Sequence, residues 1–174
     1  MLTSFGNWAV IDIETTGFNA DTSFLVAIGI LCEDEEKIFF TERTADEKKI
    51  LHQFLNFLES KGISTLIGYN IKNFDIPYLA GKLLMYGLNP REMDKYILVD
   101  LYEYIKKIKF ESRSLSNICN VAMEFNRDYE DEFPPVLYIK YLDTREQEFK
   151  DRIIGHLKED LVSTRILAKK LGII

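Results

Sequence analysis

An apolar run near the start of the chain, Trp8–Gly17, is interrupted by two acidic residues and ends in a Thr-Thr-Gly turn. A run of this kind, rich in β-branched residues and closed by glycine, predicts a buried strand. Side chains alternate between the faces of a strand, so Asp12 and Glu14 share one face and Ile11 and Ile13 the other. The two carboxylate stems then start ~7 Å apart. Because like charges repel and lose hydration when buried, this strand predicts a bound divalent metal, which prefers oxygen ligands.

The composition predicts one globular domain over residues 1–174, with 47% apolar and 29% charged residues. Apolar runs are too short for a membrane span and no N-terminal targeting signal is visible, so we expect a cytoplasmic protein without a membrane partner. Cys32 and Cys119 lie in apolar surroundings and are predicted to be buried thiols.

The net charge of −6 argues against a broad basic face that binds polyanions, but it is compatible with local binding of a nucleic acid end. No sequence feature indicates an oligomeric state.

The periodicity of the apolar residues and the positions of turn-forming residues predict strands that alternate with helices after an opening hairpin. Thr44 and Glu47 have the spacing of a capping box at the start of a helix that runs to Ser60 and stops at Gly62. The predicted strands are 24–32, 37–40, 65–68 and 96–99, with an acidic turn over 33–36. The further helices are 77–86, 101–109, 114–123 and a tail over 144–171 that Gly155 can interrupt, and 126–135 is the best loop candidate. This order predicts a mixed sheet with helices on both faces.

Three acidic positions stand at the ends of apolar elements. The first is the pair on the opening strand, the second is Asp75 before a helix, and the third is Asp160 with His156 four residues earlier on the same helix face. Taken singly, Asp75 is more often a helix cap, and His156 with Asp160 is more often an exposed polar face. Together, the four acids can converge at one sheet edge and hold two metals for in-line phosphoryl displacement.

Three motifs resemble those of the DEDD-type 3′–5′ exonucleases. They are Asp-Ile-Glu-Thr-Thr-Gly from Asp12, Gly-Tyr-Asn-(four residues)-Asp-Ile-Pro-Tyr-Leu from Gly68, and His-(three residues)-Asp from His156. The middle motif is especially similar to the exonuclease domain of family B DNA polymerases and its stand-alone relatives. The resemblance implies a ribonuclease H-like α/β fold, with a mixed five-stranded sheet in which one antiparallel strand joins an otherwise mainly parallel sheet. It also implies a free-standing exonuclease domain.

By this resemblance, the acids are the metal ligands and part of the catalytic set. Asp12, Glu14 and Asp160 would hold the tighter ion, with Asp12 bridging to a second ion that Asp75 holds. The resemblance implies two divalent ions, Mg²⁺ or Mn²⁺, which suit oxygen ligands and substrate phosphate.

His156 departs from the family pattern. In the family, four residues separate the His from the last Asp, and three residues separate a Tyr from it, whereas here three residues lie between His156 and Asp160, which is the Tyr-type spacing. One residue of helix is ~100° of rotation. His156 is predicted to be catalytic as a general base, with two alternatives open: it contacts phosphate, or it only bonds Asp160.

The resemblance also assigns contacts to single-stranded DNA or RNA 3′ ends. These substrate-binding residues are Thr15, Thr16, Gly17, Phe18, Asn70 and Phe74. For the two aromatic residues, core packing is the alternative to stacking on a base. Lys106–Lys109 is a local basic cluster, which is either a solvated face or a contact to the nucleic acid backbone.

Function therefore has a leading hypothesis and two rivals. The leading one is a metal-dependent 3′–5′ exonuclease that releases nucleoside 5′-monophosphates from single strands. The rivals are a non-catalytic subunit that binds nucleic acid ends in a repair or defence complex, and an endonuclease of the same fold. The choice between DNA and RNA depends on contacts to the 2′-hydroxyl, which no side chain in the sequence identifies.

Overall fold

Five strands and six α-helices, with two short 3₁₀ helices and one π-helical turn, form the regular structure of the residues that the computed structural model describes, which are 6–33, 35–123, 125, 127–129 and 133–174. The strands are β1 Trp8–Thr15, β2 Leu25–Leu31, β3 Glu36–Phe40, β4 Thr65–Gly68 and β5 Ile97–Asp100. The helices are α1 Glu47–Ser60, α2 Asp75–Met85, α3 Tyr102–Ile105, α4 Leu115–Ile118, α5 Pro134–Thr144 and α6 Gln147–Lys170. None of the helices in these ranges has the length and apolar character needed to cross a membrane. The cytoplasmic location stays a prediction.

The strands form one mixed sheet in the order β3-β2-β1-β4-β5. β2 pairs antiparallel with both β1 and β3, while β1, β4 and β5 pair in parallel. β2 is therefore the one strand of this sheet that runs against the others, and the predicted five-stranded arrangement is confirmed. Because β1, β4 and β5 are parallel, the residues that follow Thr15, Gly68 and Asp100 lie at the same edge of the sheet.

The two faces of the sheet are both covered by helices. Ile11 and Ile13 pack into the core cluster that contains the buried side chains of α1 and α2. Val10, on the opposite face of β1, packs with Ile67 of β4 and Leu161 of α6. The predicted alternation along β1 is confirmed, and it places Asp12 and Glu14 on the face that α6 covers.

Helix α6 lies directly against β2 at a glycine. A Cβ atom on Gly29 would come within 2.7 Å of Cδ1 of Leu161 and 3.0 Å of Cγ of Leu157, so any larger residue would force the leucine side chains to shift. Gly29 pairs with Asp12 in the β1–β2 register. The close approach therefore brings the polar side of α6 over the acidic pair.

Several helix boundaries differ from the prediction. α2 begins at Asp75, two residues early, and α3 ends at Ile105, while α4 continues as a π-helical turn over Cys119–Met123. α6 runs unbroken through Gly155, where a Cβ atom would meet the Tyr129 ring at 2.5 Å.

Helix α5 was absent from the prediction, because Pro134 and Pro135 look like loop residues. Both prolines occupy the first turn of α5, where a missing N–H costs nothing. Asp34 of the predicted acidic turn and residues 126 and 130–132 of the predicted loop lie outside the described residues.

The predicted capping box at the start of α1 is wrong. Thr44 lies in a short 3₁₀ turn, and the N-cap of α1 is Asp46, without a side-chain cap. Glu47 instead points into the interior, where its Oε1 lies 2.8 Å from Nζ of Lys82 on α2. Its other oxygen accepts a hydrogen bond from the Tyr86 hydroxyl. Glu47 is thus half of a buried ion pair between two helices.

This ion pair also holds the loop between β1 and β2. Nζ of Lys82 donates to the carbonyl oxygen of Ser23 at 2.5 Å, and Oε1 of Glu47 accepts from the backbone N–H of Leu25. The hydroxyl of Ser23 also bonds the hydroxyl of Tyr78 at 2.9 Å. The C-terminal end of the loop is therefore tied to α1 and α2.

Replacing Lys82 by Met tests the energetic weight of this pair. The variant leaves the Glu47 carboxylate buried without a cation, so we expect its free energy of unfolding to fall by about 3–5 kcal/mol. Urea denaturation at pH 7, followed by circular dichroism, measures the change. Lys48→Met on the exposed side of α1 is the matched control, with an expected change within about 0.5 kcal/mol. A Lys82→Met variant as stable as this control would show that the pair is dispensable.

Candidate active site

A cleft of about 540 Å³ opens at the sheet edge where β1 and β4 end. α2 begins on one side of it and α6 passes along the other. The lining residues share polar or aromatic character, except Ile13; they are Asp12, Ile13, Glu14, Phe18, Tyr69, Asn70, Asn73, Phe74, Asp75, His156 and Asp160. All five residues predicted to be catalytic lie in this one cleft, although they are up to 148 positions apart in sequence (Asp12 to Asp160).

Within the cleft, a hydrogen bond between an acid and the histidine joins β1 to α6. Nδ1 of His156 lies 2.7 Å from Oε1 of Glu14 and 3.5 Å from Oδ2 of Asp160, one helical turn later. One candidate ligand atom from each of these three residues lies within 4.8 Å of the others. This spacing is compact enough for a shared cation.

Asp75 approaches the cleft from the start of α2. It is 3% exposed, and its Oδ1 atom has no hydrogen-bond partner among the described residues. Asp75 is the first residue of α2, and the N-cap is Phe74. Asp75 is therefore not the helix cap that the alternative interpretation expected. Burial raises the pKa of Asp75 to about 7, although backbone hydrogen bonds oppose the rise. A buried carboxylate oxygen without a donor is suited to a cation.

The crowded carboxylates perturb one another. Burial raises the pKa of Asp12 well above its ordinary value, and the negative charges of Asp160, Asp75 and Glu14 raise it further. Burial also raises the pKa values of Glu14 and Asp160. Burial alone would lower the pKa of His156, but the hydrogen bond that its ring donates to Glu14 and the nearby carboxylates raise it above its usual value. The cleft therefore concentrates negative charge where water screens it poorly, and the residues fit a divalent cation.

Arg127 is a cleft neighbour that the sequence did not reveal. Its Nη2 atom lies 2.5 Å from Oδ1 of Asp160, its Nε lies 3.7 Å from Oε2 of Glu159, and its side chain is 4% exposed. Glu159 also accepts the backbone N–H groups of Asp128 and Tyr129, at 2.7 and 3.1 Å. Arg127 thus counteracts the negative charge at Asp160. No sequence signal marks it, because it stands alone in a polar stretch and reaches α6 only in the folded chain.

Asp100 is the second residue that sequence reasoning missed. Its carboxylate is 1% exposed and accepts backbone N–H groups from Asn70 at 2.7 Å, Lys72 at 3.1 Å and Tyr102 at 3.0 Å. These bonds hold the turn after β4, in which Asn70 has a φ of +63°. A signal was present: Asp100 ends an apolar strand, as the other acids end apolar elements.

The predicted substrate-binding residues divide into two groups. Phe18 is 88% exposed at the rim of the cleft, with its ring centroid 6.2 Å from that of Phe74 in an edge-to-face arrangement. Asn70 also lines the cleft. These positions leave apolar and polar surface open to a ligand.

Thr15, Thr16 and Gly17 do not line the cleft among the described residues. The Thr15 hydroxyl donates to the Gly17 carbonyl at 2.8 Å, and the Thr16 hydroxyl accepts the Phe24 N–H at 2.8 Å. They shape the loop that carries Phe18, and their contacts to a substrate stay predictions.

Comparisons with known proteins match nearly the whole chain. The sequence profile of the RNase H superfamily matches residues 9–172. An uncharacterized protein of Methanocaldococcus jannaschii is 31% identical over 169 residues, which are 94% of each chain. A DNA polymerase catalytic subunit of Human herpesvirus 7 is 34% identical over 105 residues, or 57% of this chain and 10% of that one. A DNA polymerase of Archaeoglobus fulgidus is 23% identical over 164 residues, or 84% of this chain and 20% of that one.

The solved structures agree on the fold. The family B DNA polymerase of Pyrobaculum calidifontis superposes with a TM-score of 0.81 and 19% identity, and the match covers 95% of this chain and 24% of that one. The predicted ribonuclease H-like fold and the predicted similarity to family B DNA polymerases are confirmed. This chain spans a tenth to a quarter of each polymerase.

The raised pKa of Asp75 predicts how stability depends on pH without metal. The folded state binds a proton that the unfolded state releases between about pH 4 and pH 7, so Asp75 makes the fold less stable as the pH rises through this window. We expect Asp75→Asn to be more stable than the wild type at pH 8 in EDTA, by up to about 4 kcal/mol, and the gap to close near pH 4.

Thermal unfolding in EDTA at pH 4, 6 and 8 measures this effect. Asp21→Asn, an exposed substitution in the β1–β2 loop, is the control and should follow the wild type at each pH. If Asp75→Asn were destabilised equally at all three pH values, the pKa of Asp75 would not be raised in the folded protein.

Proposed function

Because this chain belongs to the RNase H superfamily, we propose that it is a metal-dependent 3′–5′ exonuclease that hydrolyses single-stranded DNA or RNA to nucleoside 5′-monophosphates. The observation that carries the proposal is the convergence of Asp12, Glu14, Asp75 and Asp160 in one cleft with His156. Four carboxylates crowded into one cleft, two of them buried, cost stability, so their presence points to a function that uses them. Phosphodiester hydrolysis is a reaction that requires such a set.

The carboxylates define where the reaction would take place. They would hold two divalent cations, Mg²⁺ or Mn²⁺, which when bound supply a water of lowered pKa and positive charge beside the leaving oxygen. Asp12 interacts electrostatically with the three other acids, which supports a central position for it. Asp75 offers a buried oxygen without a donor among the described residues, and Glu14 commits only Oε1 to His156.

His156 is suited to the role of general base. The bond from Nδ1 to Glu14 fixes the ring orientation and directs the other ring nitrogen away from that carboxylate. In the proposed step, this nitrogen accepts the proton of the attacking water as the oxygen bonds to the terminal phosphorus. The bond from phosphorus to the 3′ oxygen of the preceding nucleotide breaks, and that oxygen takes a proton from solvent, which releases a nucleoside 5′-monophosphate and a new 3′ hydroxyl.

The rim of the cleft favours an unpaired end. The rings of Phe18 and Phe74 offer edges and faces on which a splayed base can stack, and stacking tolerates any base. Asn70 adds an amide beside them, whose oxygen accepts a hydrogen bond from the Asn73 amide at 2.7 Å. We further propose that residues 1–174 act without a polymerase domain. The Methanocaldococcus jannaschii protein, which matches over 94% of its length, supports this.

A labelled-oligonucleotide assay tests the activity. We expect the wild type with Mg²⁺ to shorten a 5′-labelled single strand stepwise from its 3′ end, and a circular single strand to survive. Asp12→Asn should abolish cleavage and leave the thermal midpoint unchanged or higher, because it removes a carboxylate whose pKa burial raises. Cleavage of the circle would favour the endonuclease alternative. A folded wild type that binds the strand but cuts neither DNA nor RNA would favour the end-binding alternative.

His156→Ala tests the base. We expect kcat to fall by about 10²–10⁴-fold with little change in KM, because proton transfer is lost and the carboxylates remain. In the wild type, the rate should fall below the raised pKa of His156, and this dependence should be absent from the variant. His52→Ala on the exposed side of α1 is the control and should behave as the wild type. A near-normal rate in His156→Ala would remove the residue from the mechanism.

A further inference from the structure

We propose that residues 102–113 form a second binding surface, a basic strip that holds the phosphate backbone of the single strand as it leaves the cleft on its 5′ side. The inference deepens the proposed function, because it concerns nucleotides beyond the one that reacts. The ligand chemistry is a chain of phosphodiesters with unpaired bases.

The strip concentrates positive charge in an acidic protein. Lys106, Lys107, Lys109 and Arg113 are all exposed, and the whole chain carries a net charge of −6. The strip contains two acids, Glu103 and Glu111. Glu103 pairs with Lys72 at 2.9 Å, so its charge is already matched. The remaining excess of positive charge on the strip favours an anionic ligand. Because the protein as a whole is negatively charged, such a ligand is repelled from most of the other surface.

Both ends of the strip are fastened to the wall of the cleft. At the N-terminal end, the buried Asp100 carboxylate accepts N–H groups from Asn70, Lys72 and Tyr102. At the C-terminal end, the Tyr69 hydroxyl donates to the Arg113 carbonyl at 2.5 Å. Because Tyr69 and Asn70 line the cleft, the strip begins where a strand bound in the cleft would emerge.

Aromatic rings lie beside the cations on this surface. The ring centroids of Tyr69 and Tyr102 lie 5.7 Å apart, edge to face. Tyr104 is 45% exposed, and Nζ of Lys107 lies 5.9 Å from its ring centroid. Ile105, which is buried, anchors the middle of the segment in the core. Rings beside phosphate-binding cations are the combination that binds single strands without base preference.

The chain offers a matched pair of lysines away from this surface. Lys48 and Lys49 are exposed on α1, whose buried side chains belong to the core on the opposite face of the sheet from Ile105. If the strip were only a solvated face, its lysines and this pair would be equivalent in any binding experiment.

The main test is equilibrium binding by the full chain in EDTA, where cleavage does not interfere. The variant is Lys106→Gln/Lys107→Gln/Lys109→Gln, and the control is Lys48→Gln/Lys49→Gln. Fluorescence anisotropy follows 5′-labelled 12-nucleotide DNA and RNA strands from 50 to 300 mM KCl. For single strands, each lost phosphate contact reduces the slope of log K against log salt by ~0.7, so we expect a decrease of about 2 for three contacts.

Strand length separates the strip from the cleft. The triple variant should bind the 12-nucleotide strand at least ~10-fold more weakly at 50 mM KCl and bind a trinucleotide as the wild type does. The control should match the wild type on both. A reduced slope with either DNA or RNA supports the strip, because phosphates are common to both. An unchanged slope with both, or an equal loss on the trinucleotide, overturns the proposal.

A cleavage assay with the same variants separates a failure of this proposal from a failure of the proposed function. With Mg²⁺, we expect the triple variant to retain the wild-type kcat, with a higher KM for the 12-nucleotide strand only. If the wild type cuts nothing, the exonuclease proposal fails while the binding arm still decides the fate of the strip. If the wild type cuts and the variant shows an unchanged KM on the long strand, the strip fails and the exonuclease proposal stands.

Discussion

The crowding of carboxylates in a poorly hydrated cleft is the constraint on which the rest of this structure depends. Burial and mutual repulsion raise the pKa values of Asp12, Glu14, Asp75 and Asp160, so the fold is under strain wherever these groups ionise. Arg127 and His156 supply part of the opposing charge, since each lowers the pKa of Asp160. A bound divalent cation would supply the remainder, which joins the stability of the site to its proposed chemistry.

The scaffold brings these charges together by close packing. α6 can lie over Asp12 and Glu14 because Gly29 on the neighbouring strand has no side chain in its path. On the other face, the Glu47–Lys82 pair ties two helices and the end of the β1–β2 loop into one unit. Gly29, Glu47 and Lys82 do not line the cleft, yet each sets the position of an element that carries a cleft residue.

The turn after β4 connects the cleft to the surface beside it. Asp100 fixes the backbone on both sides of this connection, so the Asn70 turn and the start of α3 are positioned together. A ligand held by the cleft would therefore meet the strip of residues 102–113 in a defined place. The fold thus offers a route by which a small catalytic cleft engages a long, flexible substrate.

The sequence by itself determined the local features: the strand that bears Asp12 and Glu14, the one-turn spacing of His156 and Asp160, and the order of the three motifs. The periodicity of apolar residues, the spacing within a motif and the ends of strands depend on neighbouring residues, so the local sequence pattern predicts them. Only the tertiary structure decided that Glu47 pairs with Lys82 rather than caps a helix, and that Arg127 meets Asp160. These contacts join residues more than 30 positions apart, and their partners follow from how helices pack on the sheet, which no local pattern contains.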